Sequence, residues 1–301
     1  MKGFQWISME EMYQKHPDLK PDDVKLVQKW LESQPHLPKI TDLEVANFLH
    51  ANYFRVEATK NMIDNYYTYR THLTNFFKNR DITGDDMVET HDVINFFLLP
   101  ERTPDNHQII IYRFKDTDPN RYSFVNFIKI IGFSIETELL EKGPPDGFHL
   151  VLDVTGVKLG HITRANLSET KLSMLYLQEG LPIRIVGLHF INVIPFMDRL
   201  MALIRPFAKN DLAKKLYVHE SVKGLHEFAP PEIFPRDYEG GKEISIDEMS
   251  EKYYQLLVQR REHFLEEEKT RRVNEKLRPT KSRIVNDYFG LEGTFKKLDI
   301  D

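Results

Sequence analysis

The chain has 301 residues, 41% of them hydrophobic, a net charge of −5 and no cysteine. That length supports one large domain, or a large and a small one, while the missing cysteines exclude disulfides, thiolate metal sites and cysteine nucleophiles and suit a reducing cytoplasm. An acidic balance with no basic stripe argues against nucleic acid as a partner, and no run reaches the ~18 apolar residues of a membrane span, so membrane contact is expected to be peripheral and transient.

In chain order, the opening Met1-Lys2-Gly3-Phe4-Gln5-Trp6 lacks the apolar core of a signal peptide. The first hundred residues then read as helices. Pro21-Asp22-Asp23 opens a segment carrying Val24, Val27, Trp30 and Leu31, and Thr41-Asp42-Leu43-Glu44 is a capping box ahead of Val45, Phe48 and Leu49. Val56, Met62, Ile63, Tyr66, Tyr67 and Arg70 keep helical spacing in a third segment, which completes a small helical subdomain over residues 1–100.

The pattern changes near Pro104. His107 to Lys115 is β-rich and stops at the turn-forming Asp116-Thr117-Asp118-Pro119. Phe124 to Lys142 reads as helix, Phe148 to Val154 as strand, Ile162 to Glu179 as helix ended by Gly180, and Ile183 to Val193 as strand. Such alternation implies an α/β sheet covered by helices, here over residues 101–245.

The last of these strands delivers the chain to Pro195 and a very apolar helical segment. Phe196, Met197, Leu200, Met201, Leu203, Ile204 and Phe207 share one broad face; Asp198, Arg199 and Arg205 take the other. The stripe suits an ordinary docked helix and a movable cover equally well. Pro206, without an amide hydrogen, is expected to bend or end the segment. Asp211 to Leu216 continues as helix, Tyr217-Val218-His219 is a short strand, and Ala229 to Gly241 is a Pro/Gly-rich loop.

Ser245-Ile246-Asp247-Glu248 caps a last long helix within residues 246–301, whose stripe of Met249, Tyr253, Leu256 and Phe264 precedes the charged run Glu266 to Arg272. That run reads as a solvated face. The tail from Lys281, with Phe289-Gly290-Leu291 and Phe295, is too apolar for a plain linker and either folds back or meets a partner.

The order of these segments resembles the CRAL-TRIO lipid-binding family, and within it the branch of cellular retinaldehyde-binding and α-tocopherol transfer proteins. Gln34-Pro35-His36-Leu37-Pro38 is similar to the family's Pro-His-Leu-Pro element, and Phe48-Leu49-His50-Ala51-Asn52-Tyr53-Phe54 to its Phe-Leu-Arg-Ala-x-x-Phe signature; Tyr66 to Arg70 continues the agreement. Leu152-Asp153-Val154-Thr155-Gly156 resembles its Asp-x-x-Gly strand end, and Pro182-Ile183-Arg184 through His189-Phe190-Ile191-Asn192 the strand before its mobile gate helix. Pro206-Phe207, Val218-His219 and Leu225-His226 follow in family order, and Asp237-Tyr238-Glu239-Gly240-Gly241 carries an extra Glu239 relative to the family loop.

The resemblance implies a small N-terminal helical subdomain followed by an αβα domain with a mixed, mainly parallel sheet. It also implies a soluble carrier for one bulky hydrophobic lipid, such as a retinoid, a tocopherol or another isoprenoid, with no cofactor and no metal. The pocket would be walled by Phe127, Ile131, Ser134 and Ile135 from a helix, Leu150, Leu152 and Val154 from one strand, and Ile183, Ile185, His189 and Ile191 from another, Ser134 serving as polar anchor. His189 reads more readily as a structural histidine than as an acid or base. The gate would be Phe196, Met197, Leu200, Met201, Leu203, Ile204 and Phe207. Arg184, Arg199, Arg205, Lys209, Lys214 and Lys215 would face a membrane or phosphoinositide; His50 and Asn52 stand where the family often has arginines, a departure that weakens the expectation of phosphoinositide recognition.

Two other readings compete. A membrane-recruited sensor or adaptor would use the same pocket as a switch. An enzyme is disfavoured by its missing motifs: the chain has no Gly-x-Ser-x-Gly elbow, Gly-x-Gly-x-x-Gly fingerprint, P-loop or His-Glu-x-x-His helix.

Overall fold

The computed structural model describes residues 6–280 and 282–286. The opening Met1 to Gln5, together with Lys281, Phe289, Gly290, Leu291 and Phe295 of the tail, lie outside the described residues.

Local capping starts the first helices. Ser8 Oγ accepts from Glu11 N at α1 (Met9–Lys15) while the Glu11 carboxylate accepts from Ser8 N, and Thr41 and Glu44 repeat the box at α3 (Asp42–Ala51). Between them α2 (Pro21–Glu32) begins on a proline, whose missing amide hydrogen costs nothing at that position. With α4 (Val56–His72), α5 (Thr74–Phe77) and α6 (Asp85–Val93) they pack around Val27, Leu49, Ile63 and Tyr67, all fully or almost fully buried.

Five strands follow in one sheet, in spatial order β1 (Ile94–Leu98), β2 (His107–Phe114), β3 (Gly147–Asp153), β4 (Ile185–Ile191), β5 (Leu216–Val218). β1 runs antiparallel to β2 and the other pairs are parallel, so the sheet is mixed and mainly parallel. α7 (Phe124–Glu141) links β2 to β3, and α8 (Leu159–Arg164) with α9 (Leu167–Glu179) links β3 to β4. Between β4 and β5 come α10 (Met197–Ile204), a 3₁₀ turn at Arg205–Phe207 and α11 (Asn210–Ala213); α12 (Ile246–Val258), α13 (Arg261–Thr270) and a 3₁₀ turn at Glu275–Leu277 follow the sheet. No helix among the described residues is long and apolar enough to cross a membrane.

Four sequence expectations need correction. Ile94–Leu98, placed within the helical first hundred residues, is a strand: Ile94 is both the C-cap of α6 and the first residue of β1, so no turn residue announces the change. The helix expected over 162–179 is two helices, because Asn166 leaves helical geometry and caps α9 through Glu169 N. The last long helix is likewise divided at Gln259 and Arg260. Finally, the Glu266 to Arg272 run is a solvated face only in part: Glu266, Lys269 and Thr270 are exposed, but the others are not. Glu267 is buried against Arg70 (2.9 Å) and Arg80 (3.1 Å), which also hold Glu136 at 2.7 and 2.6 Å, and Arg271 pairs with Glu44 at 2.8 Å. Burial opposes ionisation of Glu267, but the two guanidiniums outweigh it and hold its carboxyl at about 2. This quartet joins α4, α7, α13 and the loop after α5 at one buried point.

The sheet separates two cores. Ile110, Tyr112, Leu150, Leu188 and Phe190 face the larger, beneath α7 and the N-terminal helices. Ile109, Ile111, Val151 and Ile191 face the smaller, under the Pro/Gly-rich segment and α12. That alternation decides which side chains can meet a ligand.

Candidate functional site

A cavity opens between the larger-core face of the sheet, α7, α9 and α10. It has an outer chamber of about 730 Å³ and an inner one of about 770 Å³, counted with their mouths, which share walls at Tyr112, Phe124, Phe127, Leu152, Thr170 and Ile204. The inner chamber is closed by Ile128, Ile131, Leu150, Met174, Leu177, Leu188 and Phe190; the outer by Phe114, Tyr122, Val154, Val157, Leu200 and Leu203. Its few polar groups are mostly committed elsewhere: Ser173 Oγ donates to Thr170 O and Thr170 Oγ1 to Asn166 O. His161 is an exception. Lys158 N donates to its Nδ1, which fixes the proton on Nε2, and Nε2 is buried without a partner among the described residues.

Of the expected wall, Phe127, Ile131, Leu150, Leu152 and Val154 lie along these chambers. Ser134 does not: it is fully buried on α7 beside α12, where its carbonyl accepts from Tyr253 OH. Ile135 faces a smaller cleft with Phe48, Tyr66 and Leu181. Ile183 and Ile185 pack on the larger core outside both chambers. His189 and Ile191 are on the opposite sheet face, because the register shifts between Phe148 and His149 and sets Gly187, His189 and Ile191 against the smaller core. A strand buried on both faces reads as one apolar run, so sequence periodicity could not assign its faces.

α10 supplies Leu200 and Leu203 to the outer chamber and Ile204 to both. Met197 and Met201 are buried and Phe196 and Phe207 half-buried, all outside the chamber walls. The α-helix ends at Ile204, two residues before Pro206, and tightens into the 3₁₀ turn. Its two ends are anchored differently. At the start, Asn192 adopts a left-handed φ of 60° and donates through Nδ2 to Asp153 Oδ1 at 2.9 Å, an oxygen that also accepts from Thr155 N and Oγ1. Asp153 Oδ2 takes Tyr238 OH at 2.9 Å. At the far end one side chain holds two backbone groups: Gln178 Nε2 donates to Phe207 O (3.0 Å) and Lys209 N donates to Gln178 Oε1 (2.7 Å).

The basic residues divide. Lys209 pairs with Glu179, Lys215 donates to Ile185 O, and Arg184 donates to His50 O while its guanidinium lies 4.1 Å over the Tyr53 ring. These three serve internal structure. Arg199, Arg205 and Lys214 are exposed with no ion pair among the described residues.

Sequence reasoning passed over a histidine chain that crosses the sheet on the smaller-core side. His107 Nδ1 meets His149 Nε2 at 3.3 Å, His149 Nδ1 meets His189 Nε2 at 2.9 Å, and His189 Nδ1 meets His219 Nε2 at 3.0 Å. Burial drives the His149 pKa down to about 4 and, with His149 and His219 as neighbours, that of His189 to about 3, so both inner rings are neutral and relay N–H···N bonds. Gly187 makes room for them, since a Cβ there would lie 2.0 Å from His189 Nε2 and 2.7 Å from His149 Nδ1. One histidine in each of three adjoining strands, with a fourth just past β5, was the legible signal.

Comparison with known proteins agrees with this architecture. Residues 94–240 match the CRAL/TRIO domain family, and residues 16–87 match the Pinta-like UBA domain. Clavesin-1 of Mus musculus is 26% identical over 233 residues, covering 75% of this chain and 65% of clavesin-1. Clavesin-2 of Homo sapiens is 24% identical over 229 residues, covering 75% and 70%. The chain thus spans less than two thirds of the length of clavesin-1. The crystal structure of Sfh5 superposes with a TM-score of 0.50 at 15% identity, over 70% of this chain and 76% of that one, which speaks to the fold alone.

Proposed function

We propose that this chain, whose residues 94–240 match the CRAL/TRIO domain family, is a carrier of one bulky apolar lipid and not an enzyme. The observation that carries this reading is the pair of adjoining chambers with aliphatic and aromatic walls, bounded on one side by Leu200, Leu203 and Ile204 of α10. Exposing a lipid to water costs about 0.8 kcal/mol for each CH₂, so a carrier must replace membrane burial with protein burial. Such a wall does so, and α10 is then the gate. Closed, its apolar face covers the ligand; open at a bilayer, the same face contacts lipid, with Arg199, Arg205 and Lys214 toward anionic headgroups.

The ligand class that fits is a retinoid, tocopherol or similar isoprenoid: a rigid or branched apolar body with at most one oxygen function, for which His161 Nε2–H in the outer chamber and Tyr176 OH in the inner one are available donors. Of the six basic residues expected at a membrane, Arg199, Arg205 and Lys214 are the ones left for phosphoinositide recognition. The working place of such a carrier is the cytoplasm, with transient peripheral contact at membranes.

Titration with a fluorescent polyene lipid tests the proposal. Leu152→Trp fills the wall common to both chambers and Ile204→Asp puts a carboxylate into it; each is expected to weaken binding at least tenfold with circular dichroism unchanged. Undiminished binding by both folded variants would place the ligand elsewhere and sink the assignment.

A further inference from the structure

We propose that His16, His50 and Asp146 form a divalent-cation site, best matched to Zn²⁺, that pins the N-terminal helices to the start of β3. His16 is the C-cap of α1, His50 lies in the last turn of α3, and Asp146 immediately precedes β3. Three segments distant in sequence converge there. A nitrogen of each imidazole and a carboxylate oxygen of Asp146 lie within 4.8 Å of one another.

Both histidines are more than nine-tenths buried, at 7% and 1% exposure, yet His16 Nε2 and both nitrogens of His50 have no hydrogen-bond partner among the described residues. Leaving such a group unpaired costs ~1–3 kcal/mol, and here three occur together. His50 Nε2 is 3.8 Å from Asp146 Oδ1, beyond hydrogen-bond reach. Donors bound at ~2.0–2.1 Å around a tetrahedral ion sit roughly 3.4 Å apart, so a contraction on the order of 1 Å completes the set.

Two imidazoles and one carboxylate suit a borderline-soft ion, with water in a fourth position on the side where Asp146 is half exposed. The surrounding bonds already orient the donors. Asn106 Nδ2 holds Asp146 Oδ2 at 2.9 Å, leaving Oδ1 directed at His50, and Arg184 Nε fixes the His50 carbonyl at 2.9 Å. Arg184 also lies 3.9 Å from Asp146, and its charge works against a cation there and lowers the affinity of the site. The cluster is at the N-terminal end of β3, whereas α10 leaves the C-terminal end of β4, so the cation would brace the fold without touching the cavity.

The test uses tag-free full-length chain stripped with a chelator and titrated with ZnCl₂ against a chromophoric competitor, with CoCl₂ as a spectroscopic probe. One Zn²⁺ per chain is expected, with the thermal midpoint raised on binding. The surface change Asp146→Asn and the buried change His16→Asn should each weaken that site at least tenfold. Should a variant unfold, the wild-type Co²⁺ spectrum decides: intense four- or five-coordinate visible bands support the site, and only weak six-coordinate bands overturn it. Wild-type chain that takes up no stoichiometric Zn²⁺, or an Asp146→Asn chain that binds as tightly, likewise overturns it.

Discussion

Gln178→Ala is the perturbation that bears most directly on how α10 is held. Gln178 Nε2 and Oε1 satisfy Phe207 O and Lys209 N, the two backbone groups through which the far end of α10 is tied to α9. Alanine removes both bonds and leaves helix propensity intact. At a net ~1 kcal/mol for each hydrogen bond, the closed arrangement loses about 2 kcal/mol relative to one in which those groups meet water. A tenfold change corresponds to ~1.4 kcal/mol, so the open population rises by roughly 30-fold. The apolar contacts of Leu200, Leu203 and Ile204 remain, so closure is weakened and not abolished. The assay is the first-order release of a fluorescent polyene lipid from preloaded protein to quencher-bearing vesicles. Gln178→Ala should release about 10- to 30-fold faster, and Gln178→Glu, which keeps the acceptor for Lys209 N and loses the donor to Phe207 O, should fall between it and wild type. Release at the wild-type rate by both folded variants would refute the latch.

Other consequences follow from the buried polar groups. Gly187→Ala drives a methyl into His189 and His149 and should cost at least ~2 kcal/mol, read as a lower urea midpoint; an unchanged midpoint would mean the chain of rings can shift without loss. Because His149 and His189 have folded pKa values depressed to about 4 and about 3, below ~6.5 unfolded, their stabilisation is complete above pH 6.5 and is lost as pH falls toward those values. Between pH 7 and pH 5 each should remove about 2 kcal/mol, and His149→Gln should flatten the profile by about one proton; equal slopes in variant and wild type would contradict the neutral, buried assignment. Arg80→Met strips one guanidinium from Glu136 and Glu267 and should destabilise by ~3–5 kcal/mol in calorimetry, whereas a surface pair would give under ~1 kcal/mol.

Much of the fold could be read because its signals are local. Thr41 with Glu44 and Ser245 with Glu248 mark helix starts within four residues, and both boxes are formed. The alternation from His107 to Val193 gave the helix-covered α/β sheet without any knowledge of pairing. β1 escaped because no Gly, Pro or Asn separates Val93 from Ile94. The site was only partly legible, for a different reason. Phe127 and Ile131 lie on one stripe of a helix and could be paired by spacing, but the facing of β4 depends on an irregularity opposite Phe148, a property of two strands together. Glu267 looked solvated because the run around it is charged; its partners Arg70 and Arg80 are almost 200 residues away. Gln178 carries no pattern at all, and its role exists only once α9 and the segment after α10 are adjacent.

The most direct measurement of the central claim is extraction of the purified full-length chain with organic solvent, followed by mass spectrometry of what comes away. The account predicts close to one molar equivalent of a single class of apolar lipid in wild type, and its loss in Ile204→Asp. A protein that emerges empty, and that still takes up no retinoid, tocopherol or other isoprenoid from vesicles, would contradict it.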